Sequence, residues 1–122
     1  MSLHRGDVHW ALLKPRSGSE QSGRRPVVIV SHDIFNAADA WRSVIVVPCS
    51  TSDVQRKRAA TVVVVPKRTG GLQAASVVLC HQVTTLDRAK IGERLGRLPD
   101  DYLREVDRGL MAALQIGLFA AD

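Results

Sequence analysis

Residues 26–50 read PVVIVSHDIFNAADAWRSVIVVPCS. Two valine-rich runs, PVVIVS from Pro26 and SVIVVP from Ser43, flank a connection of small and polar residues. Successive β-branched side chains favour strands. A proline can open the first run because the first strand position does not need a ladder N–H. Pro48 is read as the end of the second run, and a helical turn is expected between Asn36 and Trp41.

Outward from this pair the same pattern repeats. Upstream, DVHWALLKP places Val8, Trp10 and Leu12 on one side and His9, Ala11 and Leu13 on the other, a strand that stops at Pro15. Downstream, AATVVVVP and SVVLCHQV are two more strand candidates. Five such runs with short turn-rich links, and no helix between most pairs, point to a compact, mainly antiparallel barrel or sheet and away from βαβ units. From Pro99 the period changes. Leu103, Val106, Leu110, Ala113, Leu114, Gly117 and Leu118 recur at helical spacing behind Pro99, Asp100 and Asp101, residues that favour a helix start. A helix closing over the sheet is expected. Residues 84–98, TTLDRAKIGERLGRL, are read as a helical turn after Thr85 and a short strand near Arg94 to Leu98. The 122 residues suit one domain, 1–122.

Apolar residues make up 45% of the chain, which with these runs excludes a disordered protein. The net charge of +5 is unevenly placed, with 11 Lys/Arg against 5 Asp/Glu up to Arg68 and 6 against 7 thereafter. The basic stretches GRR, QRKR and PKR fall between strands and suit a polyanion or an acidic partner. Cys49 and Cys80 lie in apolar runs, without CxxC spacing or the density of a disulfide scaffold, and are read as reduced core residues. No apolar run reaches the ~18 residues of a spanning helix, and MSLHRGDVHW has no signal-peptide core, so a cytoplasmic protein with no membrane partner is expected. His4, His9, His32 and His81 form no metal-binding spacing, so neither a metal nor another cofactor is expected.

What remains is the loop RSGSEQSGRRP, residues 16–26, and the hydroxyls Ser50, Thr51 and Ser52. If the second and third strands are neighbours, Arg25 meets Ser50 with Glu20 above them. A carboxylate can take a proton from a hydroxyl, and a guanidinium can grip phosphate oxygens bidentately as charge builds on them. RNA carries its own nucleophile in the 2′-OH. From spacing alone, an ordinary Glu–Arg ion pair in a loop stays open as the alternative.

The stretch RGDVHWALLKPRSGSEQSGRRPVVIVSHDIFN, followed by VIVVPCSTS, closely resembles the MazF/PemK toxins of bacterial toxin–antitoxin systems. The resemblance is carried by R-G-D-V-x-W, the block G-S-E-Q-x-G-x-R-P and a V-V-P-x-T segment, met here as VVPCS, with the late HQV and the VDRGLMAALQIGL helix in keeping. It implies a mainly β (α+β) fold, a small strongly curved antiparallel barrel of the Src-homology-3-like MazF/PemK/CcdB type with a C-terminal helix, paired as a homodimer. It implies a metal-independent endoribonuclease that cuts single-stranded RNA to a 2′,3′-cyclic phosphate and a 5′-OH. Arg25 and Glu20 match the family's catalytic arginine and loop glutamate, and its catalytic threonine falls at Ser50. Serine keeps the hydroxyl but loses the β-branch that stiffens χ1, and Thr51 is the alternative donor. Gln21, Arg24, Thr51, Arg56, Lys57 and Arg58 are the expected RNA contacts. The implied partner is a MazE-like antitoxin whose acidic tail would suit the basic front half.

Two rival readings keep the fold. A CcdB-like gyrase poison carries its contacts on a terminal Trp-Gly-Ile, whereas this chain ends LFAAD. A non-catalytic nucleic-acid-binding homologue would stack bases on aromatics. Trp10 reads as core, Tyr102 and Phe119 belong to the closing helix, and only Phe35 and Trp41 lie in a connection open to RNA.

Overall fold

A computed structural model describes residues 2–13, 23–52 and 60–117. Seven strands and two helices occur in the order β1 (Asp7–Leu13), β2 (Gly23–Ile29), α1 (Asp33–Ala37), β3 (Ser43–Ser50), β4 (Val62–Val65), β5 (Ser76–Leu79), β6 (Thr84–Asp87), β7 (Ile91–Arg97) and α2 (Asp100–Leu114). Every ladder is antiparallel. The hydrogen-bonded path runs β4-β5-β3-β2-β1-β7, with β6 added on β3. β3 pairs with β2, then divides its other edge between β6, from Ser43 to Val46, and β5, at Cys49 and Ser50. Among the described residues the sheet is not closed into a barrel: the path ends at β4 and β7, which are not paired with each other.

The unbroken apolar runs of β2 and β3 have a simple cause, since both faces of these strands are covered and plain polar alternation has no place there. Val28, Val47 and Cys49 join Val8, Val63, Val65, Val78, Cys80, Leu98 and Val106 in one cluster under α2, where Tyr102 and Leu110 pack against it. Val27, Ile29, Val44 and Val46 join Leu3, Ala11, Leu13, Leu86 and Ile91 on the opposite face. On β1 the buried set contains His9, Ala11 and Leu13, while Leu12 is exposed and Trp10 half-buried, which corrects the reading of Trp10 as core. The reason lies in Arg24, whose guanidinium carbon sits 4.1 Å over the centre of the Trp10 ring.

Several boundaries differ from the sequence reading. β2 starts three residues before Pro26; the β2–β3 ladder begins only at Val27, so on that edge Pro26 has no ladder bond to lose. Pro48 does not end β3, which continues to Ser50 by pairing with β5. α1 starts earlier than the expected turn because the His32 ring accepts the Ile34 N–H and caps it. SVVLCHQV is strand only to Leu79, and Cys80–Gln82 form a 3-10 turn. The stretch read as a turn and a short strand holds two strands, β6 and β7. α2 begins after Pro99 with Asp100 and Asp101 in its first turn. It ends at Leu114 where Gln115 turns left-handed, so Gly117 lies beyond it, and Leu118 and Phe119 fall outside the described residues.

Two close approaches hold the open side together. A Cβ on Gly71 would meet the Leu95 carbonyl, and one on Gly96 would lie 2.7 Å from the Gly70 carbonyl oxygen, so the turn Thr69–Gly71 rests backbone to backbone on β7. On α2, a Cβ at Gly109 would come within 2.6 Å of Cys80 Sγ. Arg5 then ties the N-terminal segment to both helices. Its guanidinium donates to Asp107 on α2 and to the Val30 carbonyl, and its backbone N–H donates to Asp33 on α1.

Candidate active site

The β2–β3 ladder pairs Val27 with Pro48, Val28 with Val47 and Ile29 with Val46. Continued two residues outward, that register sets Arg25 opposite Ser50. Directly opposed residues in an antiparallel pair share a face, so both lie on the face of Val27 and Ala11, the latter being Arg25's partner on β1. Arg24 pairs with Leu12 and occupies the other face, where it meets Trp10. The doublet Arg24–Arg25 is thus divided between two environments by strand alternation.

Ser50 is buried, at 6% exposure, and its hydroxyl oxygen accepts the Ser52 N–H at 3.1 Å. That bond engages the oxygen as an acceptor and leaves the hydroxyl proton to be donated elsewhere. It also supplies a local restraint that serine, without a β-branch, does not have of its own. Thr51 and Ser52 are exposed beyond the strand end. Of the other expected site residues, Glu20, Gln21, Arg56, Lys57 and Arg58 lie outside the described residues. The Ser52 backbone amide and the Trp10 ring were missed by sequence reasoning; a hydroxyl residue two places before another is the only trace of the first.

Other polar groups gather elsewhere. Phe35 and Trp41 are exposed and stack at 4.7 Å between ring centres, but they follow β2 and precede β3, at the opposite strand ends from Arg25 and Ser50. Arg88 fixes this connection by donating to the carbonyls of Phe35, Ala38 and Trp41. At the start of β1, the buried Asp7 carboxylate lies 3.4 Å from Arg94 and 3.9 Å from Arg97, with His4 and His9 on its second oxygen at 3.7 and 3.9 Å. Asp7, His4, Arg94 and Arg97 line a cleft of about 610 Å³ together with Ser2 and Asp33. A β-bulge between Val8 and His9 turns Arg94 and Arg97 to the same side, which plain alternation would not do. Two guanidiniums around one buried carboxylate compensate its charge. The Arg5 N–H holds the Asp33 carboxyl below its ordinary value, and burial pushes the Cys49 and Cys80 thiols up to about 12. Among the described residues no three His, Cys, Asp or Glu side chains gather as a metal site, and no helix is long and apolar enough to cross a membrane.

An antiparallel sheet packed against one C-terminal helix is the fold class that known proteins share with this one. The crystal structure of MazF (form I) from Deinococcus radiodurans superposes with a TM-score of 0.78 at 27% identity, covering 95% of this chain and 99% of that one. MazF in the MazE–MazF crystal structure (form II) of the same organism gives 0.72 at 27% identity, covering 96% and 99%. In sequence, the chain is 32% identical over 116 residues to endoribonuclease EndoA of Bacillus subtilis (strain 168), covering 95% of this chain and 97% of the relative. Residues 4–114 match the family model of the PemK-like, MazF-like toxin of type II toxin–antitoxin systems. The chain belongs to that family.

Proposed function

We propose that this protein is the toxin of a type II toxin–antitoxin pair and acts in the cytoplasm as an endoribonuclease on single-stranded RNA. The observation that carries the reading is the β2–β3 register, which, continued two residues past Val27–Pro48, would set Arg25 opposite Ser50, in a chain whose relative from Bacillus subtilis is named an endoribonuclease. The substrate's 2′-OH attacks the adjacent phosphorus, the new 2′-O–P bond forms as the P–O5′ bond breaks, and a 2′,3′-cyclic phosphate and a 5′-OH result. Glu20 accepts the 2′-OH proton, and a solvent water gives the departing 5′-oxygen the proton that makes it a 5′-OH. Arg25 donates two parallel hydrogen bonds to the non-bridging oxygens as charge builds on them, and the Ser50 hydroxyl donates a third. No protein nucleophile is required, and because the 2′-OH is already in the substrate the step proceeds without a metal. Gln21, Arg24, Thr51, Arg56, Lys57 and Arg58 hold the strand.

The protein acts as a homodimer. Exposed Leu114 and Ile116 at the end of α2, with Val64 on β4, supply apolar surface for a second copy. A MazE-like antitoxin with an acidic tail is its inhibitor, a reading supported by the MazE–MazF complex among the similar structures. A strongly curved barrel of the Src-homology-3 kind goes with this reading. Its support is that β6 and β7 sit at opposite edges of five adjacent strands, about 19 Å apart if flat. Yet Arg88–Lys90, a link that reaches at most about 14 Å, joins them.

The test is to treat total RNA with the purified protein in excess EDTA and sequence the released 5′-OH ends. Cleavage at a short shared sequence is expected, with DNA of that sequence intact. A substrate with one 2′-deoxy residue at the cut site should resist, and its cleavage at the normal rate would sink the mechanism.

A further inference from the structure

The basic stretch Pro66–Lys67–Arg68 has no part in the reaction described above, yet the sheet register brings it to the same end of the molecule. We propose that Lys67 and Arg68 form a subsite for the phosphate backbone of RNA, beside the Arg25–Ser50 end of the sheet. The ligand class, single-stranded RNA, rests on the function proposed above; the placement does not.

β5 pairs Val77 with Ser50 on one side and Ser76 with Val65 on the other. The turn that leaves β4 at Pro66 therefore rises at the sheet end where β3 finishes. In order across that end stand Arg25 on β2, Ser50 on β3, Ser76 on β5 and then Pro66 to Arg68. Two strand spacings, about 10 Å, separate the β3 and β4 rows. A strand of RNA held at Arg25 and Ser50 would cross this turn if it continued over β5.

Charge and backbone both favour such a role. Lys67 and Arg68 are exposed, and among the described residues neither has an ion-pair partner. Arg5, Arg42, Arg94 and Arg97, by contrast, are each set against an aspartate. Beneath the two free cations the backbone is fixed. Arg68 is left-handed at φ 77°, a conformation that suits glycine and that a side-chain-bearing residue holds only when its surroundings impose it. Here they do so: the Arg68 N–H donates to the Leu72 carbonyl at 2.7 Å, its own carbonyl accepts from Gly71, and Leu72 is buried in the core. Gly71 in turn rests on β7. A turn fixed in this way, whose two exposed cations have no ion-pair partner among the described residues, is prepared for an anion. A lysine point charge and an arginine fork one residue apart grip phosphates and leave bases unread, so the subsite adds affinity without sequence preference.

The experiment measures binding of the full chain to a mixed-sequence 2′-O-methyl RNA oligonucleotide, which cannot be cleaved, across a series of salt concentrations. Each phosphate contact contributes about 0.7 to the slope of log K against log salt for single strands. The Lys67→Ala/Arg68→Ala variant should therefore flatten the slope by about 1.4 and bind more weakly at low salt. The Arg104→Ala/Arg108→Ala variant, which removes the same charge from α2, should keep the wild-type slope. Where cleavage is followed, saturating single-turnover rates should stay within about twofold for Lys67→Ala/Arg68→Ala, whereas Arg25→Ala loses the roughly 10²–10³ in rate expected of a transition-state donor. An unchanged slope, or equal flattening by the α2 control, overturns the subsite. Wild-type binding without cleavage of any RNA would overturn the enzymatic reading and leave the subsite standing.

Discussion

Arg24 and Arg25 are chemically identical neighbours, and one step of strand alternation sets them on different faces of the sheet. Arg25 shares a face with Ser50, and Arg24 lies over Trp10 on the other. Arg25→Ala should lower the single-turnover cleavage rate about 10²–10³-fold, the usual effect of losing one well-placed donor to developing charge. Arg25→Lys should recover only part, since an ammonium lacks the fork. Arg24→Ala should weaken binding and reduce its salt dependence with little loss of rate at saturation. A dead Arg24→Ala with a near-normal Arg25→Ala would reverse the assignment. At Ser50, threonine keeps the hydroxyl and should preserve cleavage, while alanine should slow it. Ser52→Pro, which removes the N–H that restrains the Ser50 oxygen, should slow cleavage less than Ser50→Ala does. Equal rates for Ser52→Pro and wild type would show that this restraint is idle.

Secondary structure was legible in proportion to burial. The runs of β2, β3, β4 and β5 are apolar enough to read as strands, and α2 announces itself by its period and by Pro99, Asp100 and Asp101. β6 was not legible, and β7 was read only in part, as a short strand near Arg94 to Leu98. β7 is mostly exposed and ends the sheet path, so its residues carry no apolar alternation, and glycines at 92 and 96 break what pattern there is. Pro48 misled for the same kind of reason, because a proline within a strand is excluded only where its N–H is needed. The pairing of Arg25 with Ser50 could be framed from sequence only as a condition, that the two strands be neighbours; the β2–β3 ladder meets that condition. At Gly109 an element-scale prediction follows. A methyl there would press on Cys80 Sγ and lift α2 from the sheet. Gly109→Ala should destabilise the fold by about 1–3 kcal/mol, the usual cost of overpacking, as read from urea denaturation. Cys80→Ala in the same chain should return part of that loss, although the Cys80 Cβ at 3.1 Å remains close. Independent, additive effects would mean that the helix seats elsewhere.

For the molecule as a whole, the two buried thiols give alkaline pH a defined effect. Folding raises both to about 12 from an ordinary 9.0, so the folded chain holds protons that the unfolded chain releases. Their contribution to stability is complete below about pH 9 and is lost as pH rises toward 12. Urea midpoints should fall over that range, and a variant with alanine at Cys49 and Cys80 should show a shallower fall. Sedimentation velocity tests the homodimer directly: a dimer is expected at micromolar concentration, and Leu114→Asp/Ile116→Asp should shift it toward monomer.

The ladder between β2 and β3 has a last consequence, for the moment at which this protein becomes dangerous. Val27, Val28 and Ile29 against Val46, Val47 and Pro48 build the core and, in the same register, bring residue 25 to residue 50. A slip of one position would turn those valines to the wrong faces and set Cys49 or Thr51 opposite Arg25. A chain without this ladder lacks the proposed site, so the proposed cleavage should appear only with the fold. Cleavage activity and circular dichroism should then be lost along a single urea curve.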